Sequence, residues 1–368
     1  MKKIQSLLLY LSLFLMMAAC MPVDPPDSGD DEIEIITSNE GVFILNEGNF
    51  MYENASLSYL DFETDEVVNN IFYEVNNLPL GDVAQSITIH GDIGFIVLNN
   101  SGKVYAIDIN SYEIVGKITG LTSPRYMHIV NNEKAYITDL YAKAITIVNP
   151  STYTIIGQID VNNHENQFYQ HSTEEMVAYK NFVFTNCWSF DNKILVIDTN
   201  SDQVVDSIEV MKQPTSLVID KNNKLWTVTD GGFKGCSYGW EEPALIRIDA
   251  ETRVIEEVFY FDKEDSPSEL AINGTLDTLY FLNKHVYRQS VDSKMQPELF
   301  AENTAAVSFR GFYGLAVDPF TSYVYVSDGL DMLQNGVVHK YNPDGQLINT
   351  YKVGLIPSYF CFRNSSKE

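Results

Sequence analysis

The fold class this sequence predicts is all-β: a seven-bladed β-propeller of four-stranded blades, the first blade closed by the C-terminal strand. Three observations carry the prediction. A short motif, an apolar strand ending in an acid or amide and followed by a turn, recurs about every 47 residues. Each copy has two alternating strands before it and one after it, which is one four-stranded unit. The two ends of the repeat region complement each other. The motif residues are Asp61, Asp108, Asn149, Asp198, Asp249 and Asn342, with a degenerate copy at Gln289-Ser290-Val291-Asp292. Units of this size cannot bury both faces of their sheet alone, and radial stacking solves that. The first unit opens at Gly41-Val42-Phe43-Ile44-Leu45 without an innermost strand. The chain finishes on Ile356-Pro357-Ser358-Tyr359-Phe360-Cys361-Phe362, which is similar to the innermost strand Ser123-Pro124-Arg125-Tyr126-Met127-His128-Ile129. The late strand therefore completes the first blade and leaves no free edge. A two-domain β-sandwich is the alternative, but it does not explain a repeat that spans the chain.

Residues 1–19 are predicted to be a lipoprotein signal peptide. Lys2 and Lys3 precede an apolar run from Ile4 to Ala19, short for a membrane span and right for an export signal. The run ends Met17-Ala18-Ala19-Cys20, similar to a bacterial lipobox, which makes Cys20 the expected lipidation site. Residues 20–36, with three prolines and Asp27-Ser28-Gly29-Asp30-Asp31-Glu32, are predicted to be a flexible acidic tether. The propeller then occupies 37–368. Cys187, Cys236 and Cys361 have no zinc-type spacing. A Cys187–Cys236 disulfide and buried free thiols both remain open.

Fifty acids against 24 bases give a formal net charge of −26. Phosphate backbones would be repelled, so nucleic-acid binding is excluded. Apolar residues make up 45% of the chain, enough for a large core.

The opening Gly41-Val42-Phe43-Ile44-Leu45-Asn46-Glu47-Gly48-Asn49 and the following Asn54-Ala55-Ser56-Leu57-Ser58-Tyr59-Leu60-Asp61 resemble YncE-like, DUF5074-type propeller lipoproteins. The likeness continues through Asp82-Val83-Ala84-Gln85-Ser86 and Val104-Tyr105-Ala106-Ile107-Asp108 and covers residues 40–362. Within that group the chain is most similar to BtuG-type surface lipoproteins, which capture cobalamin and partner the outer-membrane transporter BtuB. The resemblance implies a non-enzymatic binding protein, with cobalamin (vitamin B12) or another corrinoid as transported ligand and no resident cofactor. It also implies a TonB-dependent transporter as partner, and lipid anchoring on the exterior of the outer membrane. Asp206-Ser207-Ile208 and Asp277-Thr278-Leu279 resemble the O-glycosylation motif of such bacteria.

In a propeller, loops joining strand two to three and strand four to the next blade share one face, and here those loops are aromatic. The expected ligand-binding residues are Asn49, Phe50 and Tyr52 in the first such loop, then Arg125 and Tyr126. Asn166, Phe168 and Tyr169 follow, then Trp188 and Phe190, and Phe233, Tyr238 and Trp240. Arg310, Phe312, Tyr313 and Tyr359 complete the set. Rings suit the flat apolar surfaces of a corrin, while amides and guanidinium groups pair its carboxamides and phosphate.

Several motifs are set aside. Gly235-Cys236-Ser237-Tyr238-Gly239 matches a nucleophile-elbow pattern but is followed by Glu241-Glu242-Pro243 rather than a helix. Asp198-Thr199-Asn200-Ser201-Asp202 lacks the glycine and glutamate of a calcium loop. His164 and His171 are read as solvated loop residues, not metal ligands. Glu174 and Glu175, adjacent on a strand, are expected to point to opposite faces. The alternative function is a propeller enzyme, a lyase or hydrolase acting on a glycan or other extracellular substrate. It would need ionisable groups at the axis, and the inner-strand starts Gln85-Ser86, Pro124-Arg125, Thr215-Ser216, Ser268-Glu269 and Phe312-Tyr313 look thin for that.

Overall fold

The computed structural model describes residues 37–163, 170–304 and 311–363. Twenty-eight strands form seven four-stranded antiparallel sheets. The first contains β1 (Gly41–Asn46), β2 (Ser56–Asp61) and β3 (Glu66–Val68). A short helix, α1 (Ile71–Asn76), leads to the second: β4 (Ala84–His90), β5 (Ile93–Leu98), β6 (Lys103–Asp108) and β7 (Ile114–Thr119). The third is β8 (Pro124–Asn131), β9 (Lys134–Asp139), β10 (Ala144–Asn149) and β11 (Thr154–Asp160). The fourth is β12 (Thr173–Tyr179), β13 (Phe182–Cys187), β14 (Lys193–Asp198) and β15 (Gln203–Glu209). The fifth is β16 (Pro214–Ile219), β17 (Lys224–Thr229), β18 (Ala244–Asp249) and β19 (Ile255–Tyr260). The sixth is β20 (Ser268–Ile272), β21 (Thr278–Asn283), β22 (His285–Ser290) and β23 (Glu298–Ala301). The seventh is β24 (Leu315–Val317), β25 (Val324–Asp328), β26 (Asn335–Tyr341) and β27 (Leu347–Leu355). Finally β28 (Pro357–Arg363) returns to pair with β1, so the first sheet runs β28-β1-β2-β3. The expected closure is present.

Burial explains why these residues become these strands. The second strand of each blade is covered on both faces, so β5, β9, β13, β17 and β21 read as nearly continuous buried runs. Outermost strands such as β7 alternate because one face meets water. The core divides into seven apolar clusters, one at each junction between neighbouring blades. Phe43, Leu45 and Tyr59, for instance, pack on Ile87, Ile96 and Leu98. Each large side chain so buried contributes about 1.5–3 kcal/mol.

The repeated acid or amide has a mechanical role: its side chain accepts hydrogen bonds from the turn that follows. Asp108 Oδ1 accepts from Asn110 N (2.7 Å) and Ser111 N (3.1 Å), and Asn149 Oδ1 from Ser151 N (2.9 Å) and Thr152 N (3.1 Å). Asp61, Asp198, Asp249 and Asn342 do the same. The calcium-like segment at Asp198 is thus one of the repeat's turns.

At the closure, Arg363 is buried and donates from Nη1 to Ile109 O (2.8 Å) and from Nη2 to Asn39 and Asn110. It fastens the returning strand to the second blade. Inner strands are also stitched sideways. Ser86 Oγ donates to Arg125 O (2.7 Å), Thr88 Oγ1 to Met127 O (2.8 Å), and Leu270 N to Ser216 Oγ (2.8 Å). These bonds satisfy backbone groups that an inner edge strand would otherwise leave unpaired.

Candidate functional site

Six of the seven inner strands carry a register break at their first residues, at Gln85, Arg125–Tyr126, Glu174–Glu175, Thr215, Glu269–Leu270 and Ser358. A bulge inserts an extra residue and re-aims its side chain. The axis therefore receives two consecutive side chains from a strand instead of one. Gln85, Arg125, Glu174, Thr215 and Ser358 at these breaks, with Ser268 just before the sixth-blade one, line an upper cavity of about 500 Å³. Of the residues that directly follow them, Tyr126, Glu175, Glu269 and Tyr359 line a lower cavity of about 370 Å³. Tyr126, Glu269 and Tyr359 border both cavities and form the waist between them. The Tyr126 and Tyr359 rings lie 6.0 Å apart, centroid to centroid.

The expectation that Glu174 and Glu175 diverge is corrected here. Strict alternation fails at the bulge between Thr173 and Met176, and both carboxyls reach the channel. The expectation of an axis thin in ionisable groups is corrected with it. Glu47, Glu174, Glu175, Glu269 and Arg125 all line the channel, with Asp230 and Lys284 on the upper wall. Arg125 Nε donates to Glu174 Oε2 (2.7 Å) and Nη1 donates to Gln85 Oε1 (2.6 Å). Glu174 Oε1 is buried without a hydrogen-bond partner. Tyr313 Oη donates to Glu47 Oε2 (3.0 Å), and Trp188 Nε1 to Asp230 Oδ2 (3.0 Å).

Burial dominates the electrostatics. It pushes Glu175 up to about 8, with Glu174 adding to the rise and the Leu217 N–H, donated at 3.0 Å, opposing it. Burial likewise lifts Glu269 well above the carboxylate range, reinforced by Glu175 and Glu47. Glu174 is raised too, by burial against the pull of Arg125. Burial thus favours the protonated forms of Glu175 and Glu269, and a protonated carboxyl donates as well as accepts hydrogen bonds. Glu269 also holds a left-handed backbone at φ 53°, unusual for a residue with a Cβ.

A pH dependence of stability follows. The folded Glu175 binds its proton more tightly than an unfolded glutamate near 4.5, so its contribution is complete below about 4.5 and declines as pH rises to about 8. Urea denaturation should show wild type losing stability between pH 5 and pH 8.5, and Glu175→Gln losing distinctly less. Equal losses in the two proteins would contradict the burial of an acid at that position.

Of the residues expected to bind ligand, Arg125, Tyr126, Trp188, Phe312, Tyr313 and Tyr359 converge on the upper cavity. Phe50, Tyr52 and Phe233 are exposed on the loops of the same face, joined there by Met51, Tyr141 and Leu333. Asn49 is tied to Met332 O (3.0 Å). Phe190 and Tyr238 pack edge to face, and Trp240 donates to Lys263 O (3.0 Å) beneath the Lys263 ammonium. Asn166, Phe168, Tyr169 and Arg310, like Cys20 and His164, lie outside the described residues. Gln85, Glu174, Glu175, Thr215, Glu269 and Ser358 were missed as site residues. The available signal was the recurrence of proline before a polar pair, as in Pro124-Arg125-Tyr126, Pro214-Thr215-Ser216, Pro267-Ser268-Glu269 and Pro357-Ser358-Tyr359.

Ser237 sits in a loop of successive turns, Cys236 N to Phe233 O and Gly239 N to Cys236 O, leading to strand β18. It has none of the strand–helix geometry of an elbow nucleophile. Cys187, Cys236 and Cys361 are all free thiols, which resolves the pairing left open. No helix among the described residues is long and apolar enough to cross a membrane.

The family model described as a domain of unknown function, DUF5074, matches residues 40–362. No curated protein is significantly similar in sequence. Among solved structures, the chain is similar to a quinonprotein alcohol dehydrogenase-like protein from Bacteroides thetaiotaomicron. The TM-score is 0.66 at 15% identity, over 89% of this chain and 79% of that one. It is similar also to the periplasmic gluconolactonase PpgL of Pseudomonas aeruginosa (TM-score 0.64, 12% identity, 88% and 100% covered). A putative 6-phosphogluconolactonase from Bacteroides fragilis gives 0.62 at 12% identity, covering 90% and 100%. At these identities the likeness is one of fold alone.

Proposed function

We propose a capture function for this chain, which belongs to the DUF5074 family: it binds cobalamin or a related corrinoid on its aromatic loop face and passes it to a TonB-dependent outer-membrane transporter. The observation that carries this reading is the upper cavity, where rings, amides and ionisable groups from all seven blades converge on the face that also bears the exposed aromatic loops. A corrinoid is flat, apolar on its faces and fringed with carboxamides. Its amide N–H groups suit the carboxylates of Glu47 and Asp230, and its carbonyl and phosphate oxygens suit Arg125 and Lys284. So large a ligand overfills 500 Å³. The cavity would take one edge, and the rings on the rim would cover the rest. Cys20 would anchor the protein by lipid to the outer surface of the outer membrane, with residues 20–36 as tether.

Calorimetry with cyanocobalamin tests the reading. The double variant Phe50→Ala/Tyr52→Ala removes exposed rings that support no core, so the melting temperature should hold. Affinity should fall at least about thirtyfold, near 2 kcal/mol, mainly through faster dissociation. Ser237→Ala should be silent. Absence of cobalamin binding to the wild-type protein would sink the proposal, and membrane fractionation of Cys20→Ser checks the anchor.

One observation favours a second reading, a lyase or hydrolase. Glu175 and Glu269, whose pKa values burial raises beside Tyr126 and Arg125, have the character of general acids. Reducing-end release from an extracellular glycan, lost in Glu269→Gln, would support the enzyme over the capture protein.

A further inference from the structure

We infer that His171, Cys187 and Asp191 form a zinc site, separate from the axial channel, that clasps two loops of the candidate binding face. The three residues come from different places in the fourth blade. His171 precedes β12, Cys187 ends β13, and Asp191 lies in the loop between β13 and β14. One donor atom from each, an imidazole nitrogen, the thiol sulfur and a carboxylate oxygen, all lie within 4.8 Å of one another. His171 Nδ1 is 2.6 Å from Asp191 Oδ2, and Cys187 and Asp191 are buried.

The hydrogen bond between His171 and Asp191 would satisfy those two side chains without any ion. Two observations point further. A thiol stands with them, and an amide oxygen on the wall of the cavity that His171 and Asp191 line offers a fourth donor. His171 N donates to Val161 O (2.8 Å), which brings the next residue, Asn162, to the base of the same loop. Asn162 Oδ1 is buried with no hydrogen-bond partner, and Asn162, His171 and Asp191 line one cavity of about 780 Å³. A buried amide oxygen without a donor is costly and calls for a cation or a donor in that space.

The donor set selects the ion. One nitrogen, one sulfur and one carboxylate oxygen, with Asn162 or water to complete the shell, fit tetrahedral Zn²⁺, whereas Ca²⁺ and Mg²⁺ require oxygen shells. Charge agrees as well. A thiolate and a carboxylate neutralise the dication, which makes the burial tolerable. On binding, Cys187 releases its thiol proton to solvent and the direct His171–Asp191 bond gives way to two bonds through the metal. The ion would join the loop entered at Asn162 to the loop carrying Trp188 and Phe190, and so would stiffen the wall of the upper cavity.

The test uses the purified mature protein, stripped with EDTA and titrated with Zn²⁺ alone against a chromophoric chelator, then with Co²⁺ as a spectroscopic substitute. The expected result is one Zn²⁺ per chain, a raised melting temperature and a near-ultraviolet thiolate-to-Co²⁺ band. Cys187→Ser should abolish that band, and His171→Gln and Asp191→Asn should each weaken Zn²⁺ by more than about a hundredfold. His171 is at the surface end of the cluster, so its variant is expected to keep the fold of the metal-free protein. Failure to retain Zn²⁺ against the chelator would overturn the inference. So would a stoichiometric site whose affinity and spectrum are unchanged in these variants.

Discussion

Arg125→Met is expected to destabilise the protein by about 3–5 kcal/mol, because it leaves Glu174 buried beside a residue that cannot compensate its charge. The Glu174 side chain is only 4% exposed. Its other oxygen already lacks a partner, and Gln85 Oε1 would lose its donor in the same step. The double variant Arg125→Met/Glu174→Gln should recover most of the loss, since a buried pair replaced together costs far less than a pair broken. Urea denaturation of the two single variants and the double variant gives the coupling directly. A single-variant loss under about 1 kcal/mol would show that water reaches the pair freely. On the proposed capture function, cobalamin binding should weaken in Arg125→Met and in the double variant, because each lacks the Arg125 cation while Lys284 remains.

Deleting residues 355–368 is expected to have the largest effect of all. Without β28 the six paired positions of β1, from Gly41 to Asn46, lose their inner neighbour and become an apolar free edge. The deletion also removes Ser358 and Tyr359 from the channel and the Arg363 fastening to the second blade. Size-exclusion chromatography should show aggregation, or the melting temperature should drop steeply. A soluble monomer with the wild-type melting temperature would mean that the ring is not closed by this strand.

The architecture was legible because its determinants are local and repeated. Asp108 and Asn149 hold their own turns, whatever the rest of the chain does, so the period survives in the sequence. The closing strand was legible because Pro357-Ser358-Tyr359 imitates Pro124-Arg125-Tyr126. The axis was not, and the reason is geometric. Alternation assigns one face to every second residue, but the bulges at Glu174–Glu175 and Glu269–Leu270 break that rule where inner strands crowd together. Two glutamates read as diverging therefore share a channel. Loop aromatics were legible as a face but not as contacts. Trp188 and Tyr313 meet the cavity, whereas Phe190 finds Tyr238 and Trp240 finds Lys263, and nothing in a loop's composition distinguishes a ring that waits for a ligand from one that has a neighbour. The His171, Cys187 and Asp191 cluster was hidden for a related reason: its members are brought together by strand pairing, at intervals no metal motif uses.

The closure of the first blade by β28 also sets a timetable. Arg363 meets Asn39 across 324 residues of sequence, while nearly every other strand pair is a neighbour along the chain. Contacts of such separation carry a large loop-closure entropy and slow folding. Six blades can stack as the chain emerges, but the disc stays an open arc until its latest strand arrives. If the chain is exported unfolded, as its proposed location requires, this ordering would keep the propeller from locking before all of it has passed through. The cost is an interval in which β1 shows a bare edge, when a chaperone that covers strands would matter most.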